Sequence, residues 1–200
     1  KKYNIISCPG CYPTSILLPL FPLFKKNLIK LNNIIIDSKS GYSGAGRGIL
    51  KRSKKIDLFN SLSVYGLPNH RHNAEIKQEL SMISKNIKFN FTPHILPIFR
   101  GILSTIYVEK NEGITAYNIS NFLKKFYRKN KFIKINKINK QIGTKDVINT
   151  NYCEISICES NNKDKLIILS AIDNLIKGGA GQAIQNLNIK FGFNLSEGLN

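Results

Sequence analysis

The sequence predicts an α+β protein, a mixed and mainly antiparallel sheet with helices packed on one face. Several strand-like segments follow one another with few helices between them, and the last two are joined by the turn-like "NNKD". Two hundred residues, 42% of them hydrophobic, can bury one good core, so one domain with appendages is expected.

The elements can be taken in chain order. Residues 14–31 have the apolar density of a helix, and Pro19 and Pro22 predict a kink or an interruption in it. "NIIIDS" at 33–38 is a β-branched strand that runs into the Gly-rich loop "SGYSGAGRG" at 40–48. Residues 49–62 are basic and weakly patterned, a surface excursion. "VYGLPNHRH" at 64–72 reads as extended. The helix of 73–84 is expected to be capped by Asn73, with Glu75 in its first turn and Ile76, Leu80 and Ile83 on one face. Strands follow at 87–97 and 101–110, and a basic helix at 115–130. "FIKINKI", "YCEISICES" and "KLIILSAID" then read as strands. In the tail, Gly178-Gly179 and Gly181 precede a helix on which Ala180, Ala183, Ile184, Leu187 and Phe191 share an apolar face.

The net charge of +18 invites a nucleic-acid reading, since a basic face releases counterions on binding phosphates. Composition argues against it. Lys, Ile and Asn make up roughly forty per cent of the chain and Lys outnumbers Arg about five to one, the bias of an AT-rich coding sequence rather than of a base-reading surface, which favours Arg. The longest apolar run, "ILLPLFPLF" at 16–24, is too short to span a bilayer and holds two prolines, so no membrane partner is expected. Four cysteines without a secretory signal suit a reducing, cytoplasmic compartment.

The chemistry gathers around "SCPGCYPTS" at 7–15. Gly10 permits a tight approach, Pro13 suits a first helical turn, and a helix N-terminus stabilises a thiolate, so Cys11 is read as an exposed, activated nucleophile. A structural zinc site would need two more ligands. Cys153 and Cys158, five apart on a strand, should point to opposite faces, so no metal is expected. A Cys8–Cys11 redox pair stays open. Of the three histidines, His70 and His72 are expected to project from one face, with Arg71 opposite, close enough to pair with the thiolate and serve as acid or base. His94 reads as structural. "SGYSGAGR" offers a nest of backbone N–H groups with Arg47 beside it, and Arg100 could clamp an anion.

Together these blocks resemble the N-acetyl-gamma-glutamyl-phosphate reductase family, which is related to aspartate-semialdehyde dehydrogenase. The blocks are "PGCYPTS" (9–15), "SGYSGAGR" (40–47), "HRHNAEI" (70–76), "PHILPIFRGILSTIY" (93–107) and "DNLIKGGAGQAIQN" (173–186), in the family's order and over most of the chain. The resemblance implies NADPH-dependent reduction of N-acetyl-L-glutamyl 5-phosphate to the 5-semialdehyde, with an acyl-phosphate substrate, an NADP(H) cofactor and a place in arginine biosynthesis. Cys11 would form a thioester, hydride would give a thiohemiacetal, and that would collapse to the aldehyde. His70 or His72 would be the acid/base, with Glu75 orienting it. Ser43, Gly44, Ala45 and Gly46 would lie along the cofactor, Asn174 and Gln182 near the nicotinamide, and Arg100 and Arg47 against substrate anions.

The resemblance also implies an architecture. Residues 1–32 would close a Rossmann domain and carry the nucleophile, 33–172 would form the catalytic and oligomerisation domain, and 173–200 would return to the cofactor domain. Remnants of the Rossmann domain would thus lie at both ends, and a homo-oligomer is expected. The dinucleotide-binding half has no counterpart in the sequence, so the segment alone is expected to be inactive. Cys8 departs from the family's usual Asn and Ala74 from its usual Pro. The alternatives are a non-catalytic basic binding module or degraded relative, the equivalent reductase of a carrier-linked lysine pathway, and redox regulation through Cys8 and Cys11.

Overall fold

The computed structural model describes residues 4–45 and 60–199. Its strands are β1 (Ile34–Gly41), β2 (Ser63–Val64), β3 (Phe89–Leu96), β4 (Ile102–Glu109), β5 (Ile133–Ile135), β6 (Cys153–Glu159) and β7 (Lys165–Ile172). They form one seven-stranded sheet in the order β2-β3-β1-β4-β7-β6-β5. β1 pairs with β3, and β5 with β6, in parallel; the other four pairings are antiparallel. The mixed, mainly antiparallel sheet is therefore as the sequence predicts.

The helices are α1 (Cys11–Lys25), α2 (Arg71–Ser81), α3 (Ala116–Tyr127) and α4 (Gly181–Phe191). α1 lies on β4 and β7, with α2 and α3 packed against it and α3 covering β5 and β6. The period-2 alternation of the strands explains this. Ile36, Ile106, Ile168 and Ile157 stand opposite one another across β1, β4, β7 and β6 and are fully buried beneath the helices. The reverse face is more open. There Ile142, Val147 and Ala171 form a small second cluster, while Ile35 and Tyr107 are exposed.

A row of hydroxyls lies under α1. Ser15 Oγ meets Ser104 Oγ at 2.8 Å, Ser104 Oγ meets Ser38 Oγ at 2.7 Å, and Ser15 donates to the Tyr12 carbonyl at 3.0 Å. Small side chains let the helix approach the sheet, and mutual hydrogen bonds offset their desolvation.

Several expectations need correction. α1 begins at Cys11 and runs through Pro19 and Pro22 without interruption. Pro22 cannot bond the Leu18 carbonyl, and the Tyr127 hydroxyl takes that place at 2.6 Å. α2 begins at Arg71 with His70 as its cap, so Asn73 is inside the helix and Glu75 lies beyond the first turn. "FIKINKI" pairs only over Ile133–Ile135. The apolar stripe of α4 is not packed on this chain: Leu187 is 48% and Phe191 67% exposed, and the helix docks through buried Gly181 and Asn188. Most of the expected excursion at 49–62 lies outside the described residues. No helix among the described residues is long and apolar enough to cross a membrane.

Tyr127→Phe keeps the ring but strips the Leu18 carbonyl of its partner. We expect a loss of about 1 kcal/mol in denaturant unfolding, and unchanged stability would show that water replaces the hydroxyl.

Candidate active site

The setting of Cys11, the candidate nucleophile, follows from four consecutive residues. Gly10 is extended (φ −66°, ψ 162°) and caps α1 without a side chain, making Cys11 the first helical residue. A helix start leaves several N–H groups unpaired. Pro13 has none and Thr14 N–H bonds the Gly10 carbonyl at 2.9 Å, so the N–H groups of Cys11 and Tyr12 are left to face the thiol. Both favour the thiolate, as does Arg71. Burial outweighs them, and the Cys11 thiol is held above its ordinary value, with Glu75 adding to the rise. The sequence expectation of an activated, exposed thiol is corrected on this point: Cys11 is half-buried, and its burial favours the protonated form.

The start of α2 docks on this turn. Gly10 N–H donates to Glu75 Oε1 at 2.9 Å. His72 lies over the same glycine, where an added Cβ would come within 2.5 Å of His72 Nε2. Gly10 is thus required by close approach, not by an unusual φ. Glu75 makes no hydrogen bond to either imidazole; it anchors the nucleophile's cap instead of orienting a histidine.

The two histidines divide their roles. His70 Nδ1 accepts the His72 N–H at 3.2 Å, capping α2. Its ring is packed edge-on by Tyr65, Phe91 and Tyr12 at 5.2, 5.6 and 5.6 Å, and lies against Gly66. His72 is 8% exposed, and its Nδ1 has no hydrogen-bond partner among the described residues. Burial, then the neighbouring His70 and Arg71, push His72 down to about 4; burial and Arg71 also lower His70. These shifts favour the neutral form of both imidazoles.

A second cluster joins the tail to the loop after β1. Asn174 Nδ2 donates to Ser43 Oγ at 2.9 Å, Asn174 Oδ1 accepts from Gly101 N–H at 2.7 Å, and Gly44 packs on the same amide. Ala45 ends that short 3₁₀ turn (Tyr42–Ala45). The next two residues of the predicted cradle, Gly46 and Arg47, lie outside the described residues. The tail then reaches the nucleophile, since a Cβ on Gly178 would sit 2.7 Å from Cys11 Cβ. Gln182, one turn on, has a buried Oε1 without a partner among the described residues. It lines a cleft of about 840 Å³ with Cys8, Pro9, Pro13, Arg71 and Glu75.

Arg100 stands differently from the expected substrate clamp. Its Nε lies 3.5 Å from Oδ2 of fully buried Asp173, and its Nη1 donates to Asn149 Oδ1. It braces the Asp173 corner, whose Oδ1 also caps Leu175 and Ile176 N–H at 2.8 and 3.0 Å.

Cys8 and Cys11 are both free thiols. Cys8 Sγ accepts from Asn186 Nδ2 at 3.5 Å. Cys153 is buried under the helices and Cys158 lies on the reverse face, as their spacing predicts.

Sequence reasoning passed over Arg71, Tyr65 and Lys177. Lys177 is 4% exposed, pushed down to about 8 by burial, and donates to Gln185 Oε1 at 2.6 Å. Tyr65 donates to the Tyr12 hydroxyl at 3.1 Å, which donates to the His94 carbonyl at 3.1 Å. Arg71 and Lys177 lie in the quoted blocks, whereas Tyr65 lies in the extended segment before them and carries no signal of its own.

Comparison with known proteins gives the same direction. The N-acetyl-gamma-glutamyl-phosphate reductase of Clostridium beijerinckii is 46% identical over 201 residues, covering 100% of this chain and 58% of its own length. That of Staphylococcus saprophyticus is 42% identical over 197 residues, 98% of this chain and 57% of its own. The chain therefore spans little more than half the length of these relatives. Among solved structures, aspartate semialdehyde dehydrogenase II from Vibrio cholerae shares the fold with a TM-score of 0.68 at 17% identity, over 95% of this chain and 64% of that one. The sequence model described as "Semialdehyde dehydrogenase, dimerisation domain" matches residues 11–174, and the chain belongs to that family.

Proposed function

We propose that this chain is the catalytic portion of a reductase that converts N-acetyl-L-glutamyl 5-phosphate to N-acetyl-L-glutamate 5-semialdehyde and phosphate with NADPH. The observation that carries the proposal is the convergence on Cys11 of three distant blocks: its own cap, the His72–Glu75 turn laid on Gly10, and Gly178 against its Cβ.

Cys11 and His72 start as a neutral pair. As Sγ attacks the acyl carbon, His72 takes the thiol proton, and the N–H groups of Cys11 and Tyr12 turn from the sulfur to the carbonyl oxygen as charge develops there. The carbon–oxygen bond to phosphate breaks, His72 passes the proton to the leaving phosphate, and a thioester remains. Glu75 keeps the cap fixed throughout. After the aldehyde departs, the sulfur takes a proton from solvent by way of the same ring.

Ser43, Gly44 and Ala45 with Asn174 and Gln182 would hold the nicotinamide end of the cofactor. The fit is physical: the buried Oε1 of Gln182, without a partner among the described residues, is an acceptor in want of an amide N–H. When bound, the nicotinamide supplies the hydride that reduces the thioester. NADPH rather than NADH rests on the resemblance, as does a cofactor-binding half beyond this chain. The exposed stripe of α4 would lie toward that half, and the open face of the sheet, with Ile35 and Tyr107, would take a second copy of the chain. The free thiols suit a cytoplasmic, reducing compartment. The basic segment 124–140 is dispersed, and Lys134 and Lys140 are committed to buried Glu154 at 2.6 and 3.7 Å, which gives no support to a binding module.

In semialdehyde oxidation with NADP and phosphate, Cys11→Ser in the native protein should lower kcat at least about a thousandfold. Full activity would end the thioester mechanism.

The Cys11 alkylation rate should rise with pH through a midpoint above the ordinary thiol value of about 8.5. Glu75→Gln keeps an oxygen for Gly10 N–H but removes a negative charge that disfavours the thiolate. The midpoint should therefore fall, whereas Glu75→Ala should also lose the cap and lower kcat by roughly tenfold. An unmoved midpoint in the Gln variant would contradict the charge assignment.

A further inference from the structure

Arg100 lies in the bend before β4, and the bonds that hold it lead back to Cys11. Its Nε pairs with Oδ2 of Asp173 at 3.5 Å and its Nη1 donates to Asn149 Oδ1, while Asn149 N–H donates to the same Asp173 oxygen at 2.8 Å. Asp173 is fully buried, and Arg100 is its one ion-pair partner among the described residues. Its other oxygen, Oδ1, accepts from Leu175 and Ile176 N–H at 2.8 and 3.0 Å. Those two groups open the wide turn Ile176–Ala180. Two bonds that reach back five residues close it, from Gly178 N–H to the Asp173 carbonyl and from Ala180 N–H to the Leu175 carbonyl, both at 2.9 Å. Such π-type turns are rare, and this one is fixed at its entry by the Asp173 carboxylate. It ends on the thiol's own residue: a Cβ on Gly178 would come within 2.7 Å of Cys11 Cβ and 3.1 Å of Cys11 Cα.

We propose that Arg100 and Asp173 are positioning residues for Cys11: their buried ion pair fixes the 176–180 turn, and the turn seats Gly178 on the nucleophile and sets how deeply its sulfur lies. The effect on the reaction rests on the reductase reading above. Without the guanidinium, the Asp173 carboxylate would stand alone in the interior, a state costly enough to turn it toward water. It would then release the Leu175 and Ile176 N–H groups, loosen the entry of the turn and let Gly178 withdraw from Cys11. A less buried sulfur favours its thiolate, because burial is the largest of the causes that hold the Cys11 thiol up. The reacting geometry also suffers, since a displacement of about 1 Å caused far from the chemistry can cost roughly a hundredfold in rate. Arg100 therefore acts on kcat without touching substrate. Loss of a substrate clamp would do the reverse, weakening binding and raising KM. The arginine fork matters because it spans Asp173 and Asn149 at once, whereas lysine keeps only the charge.

The test uses the native protein with iodoacetamide as the probe of Cys11, a measurement that needs no turnover. Arg100→Gln should lower the midpoint of the alkylation profile by about half to one pH unit, so that the rate at pH 7 rises roughly three- to tenfold, and Arg100→Lys should recover part of the native value. In semialdehyde oxidation Arg100→Gln should lower kcat roughly tenfold, with the KM for phosphate and for semialdehyde each within about twofold. Asn149→Gly keeps the positive φ of 62° at that position and removes the Oδ1 that holds Arg100. It should move the midpoint the same way, and it carries the test if Arg100→Gln fails to fold. Gly178→Ala displaces the turn from Cys11 directly, so in the double variant with Arg100→Gln the midpoint should move less than the sum of the single effects. An unmoved midpoint in folded Arg100→Gln, or full additivity in the double variant, would overturn the proposal. So would a rise in KM at unchanged kcat, which would return Arg100 to the role of substrate clamp. If the native protein failed to oxidise the semialdehyde while these variants still moved the midpoint, the reductase reading would fall and the positioning of Cys11 would stand.

Discussion

The hydrogen bond from Gly10 N–H to Glu75 Oε1 is the contact on which the site depends. It joins residues sixty-five positions apart, and it ties the cap of the nucleophile's helix to the first turns of α2. Once it is made, the position of His72 over Gly10 follows, because His72 and Glu75 are one turn apart on the same helix and face the same partner. A side chain on Gly10 would collide with the imidazole, so glycine, histidine and glutamate form one steric and hydrogen-bonded unit. The helix-capping role left open by Gly10, which has no side chain to offer, is supplied from another element.

That unit needs a rigid base, and the sheet supplies it through α1. The Ser15–Ser104–Ser38 row fixes where the helix crosses β4, one turn beyond Cys11. A purely apolar seam could slide; a hydroxyl row surrendered at a cost of unsatisfied oxygens holds a single placement. At the far end, Tyr127 repairs the gap left by Pro22, so a helix with two interior prolines stays continuous. The prolines thereby keep the local stiffness without breaking the lever that carries the nucleophile.

Much of this was legible in the sequence, for reasons that differ by residue. The strands of 89–96, 102–109, 153–159 and 165–172 announce themselves by alternation, which reports burial directly. The structure lays His72 over Gly10 next to Cys11 and joins Ser43 and Gly44 to Asn174, residues that the sequence had already singled out. The partners of Glu75 and Arg100 were not legible. Glu75 reads as a first-turn acid until the helix is seen to start at Arg71, and Arg100 reads as free because nothing local reveals buried Asp173, seventy-three residues later. Long-range hydrogen bonds leave no periodicity. The exposed stripe on α4 marks a different limit: its pattern is plain, but pattern alone does not say which body it meets.

The electrostatics at Cys11 set two opposing demands. An acyl phosphate is a good electrophile, and a standing thiolate in a half-buried site would be open to oxidation and alkylation between turnovers. Here burial and Glu75 keep the sulfur protonated, while the two N–H groups and Arg71 favour the anion. His72 is held in its neutral form down to about pH 4, the form that can accept a proton. On the proposed mechanism the resting sulfur carries its proton, so proton transfer to His72 would belong to the same step as attack on the carbonyl. Concerted transfer avoids a buried, unshared charge at any stage, which is the costliest state such a site could pass through.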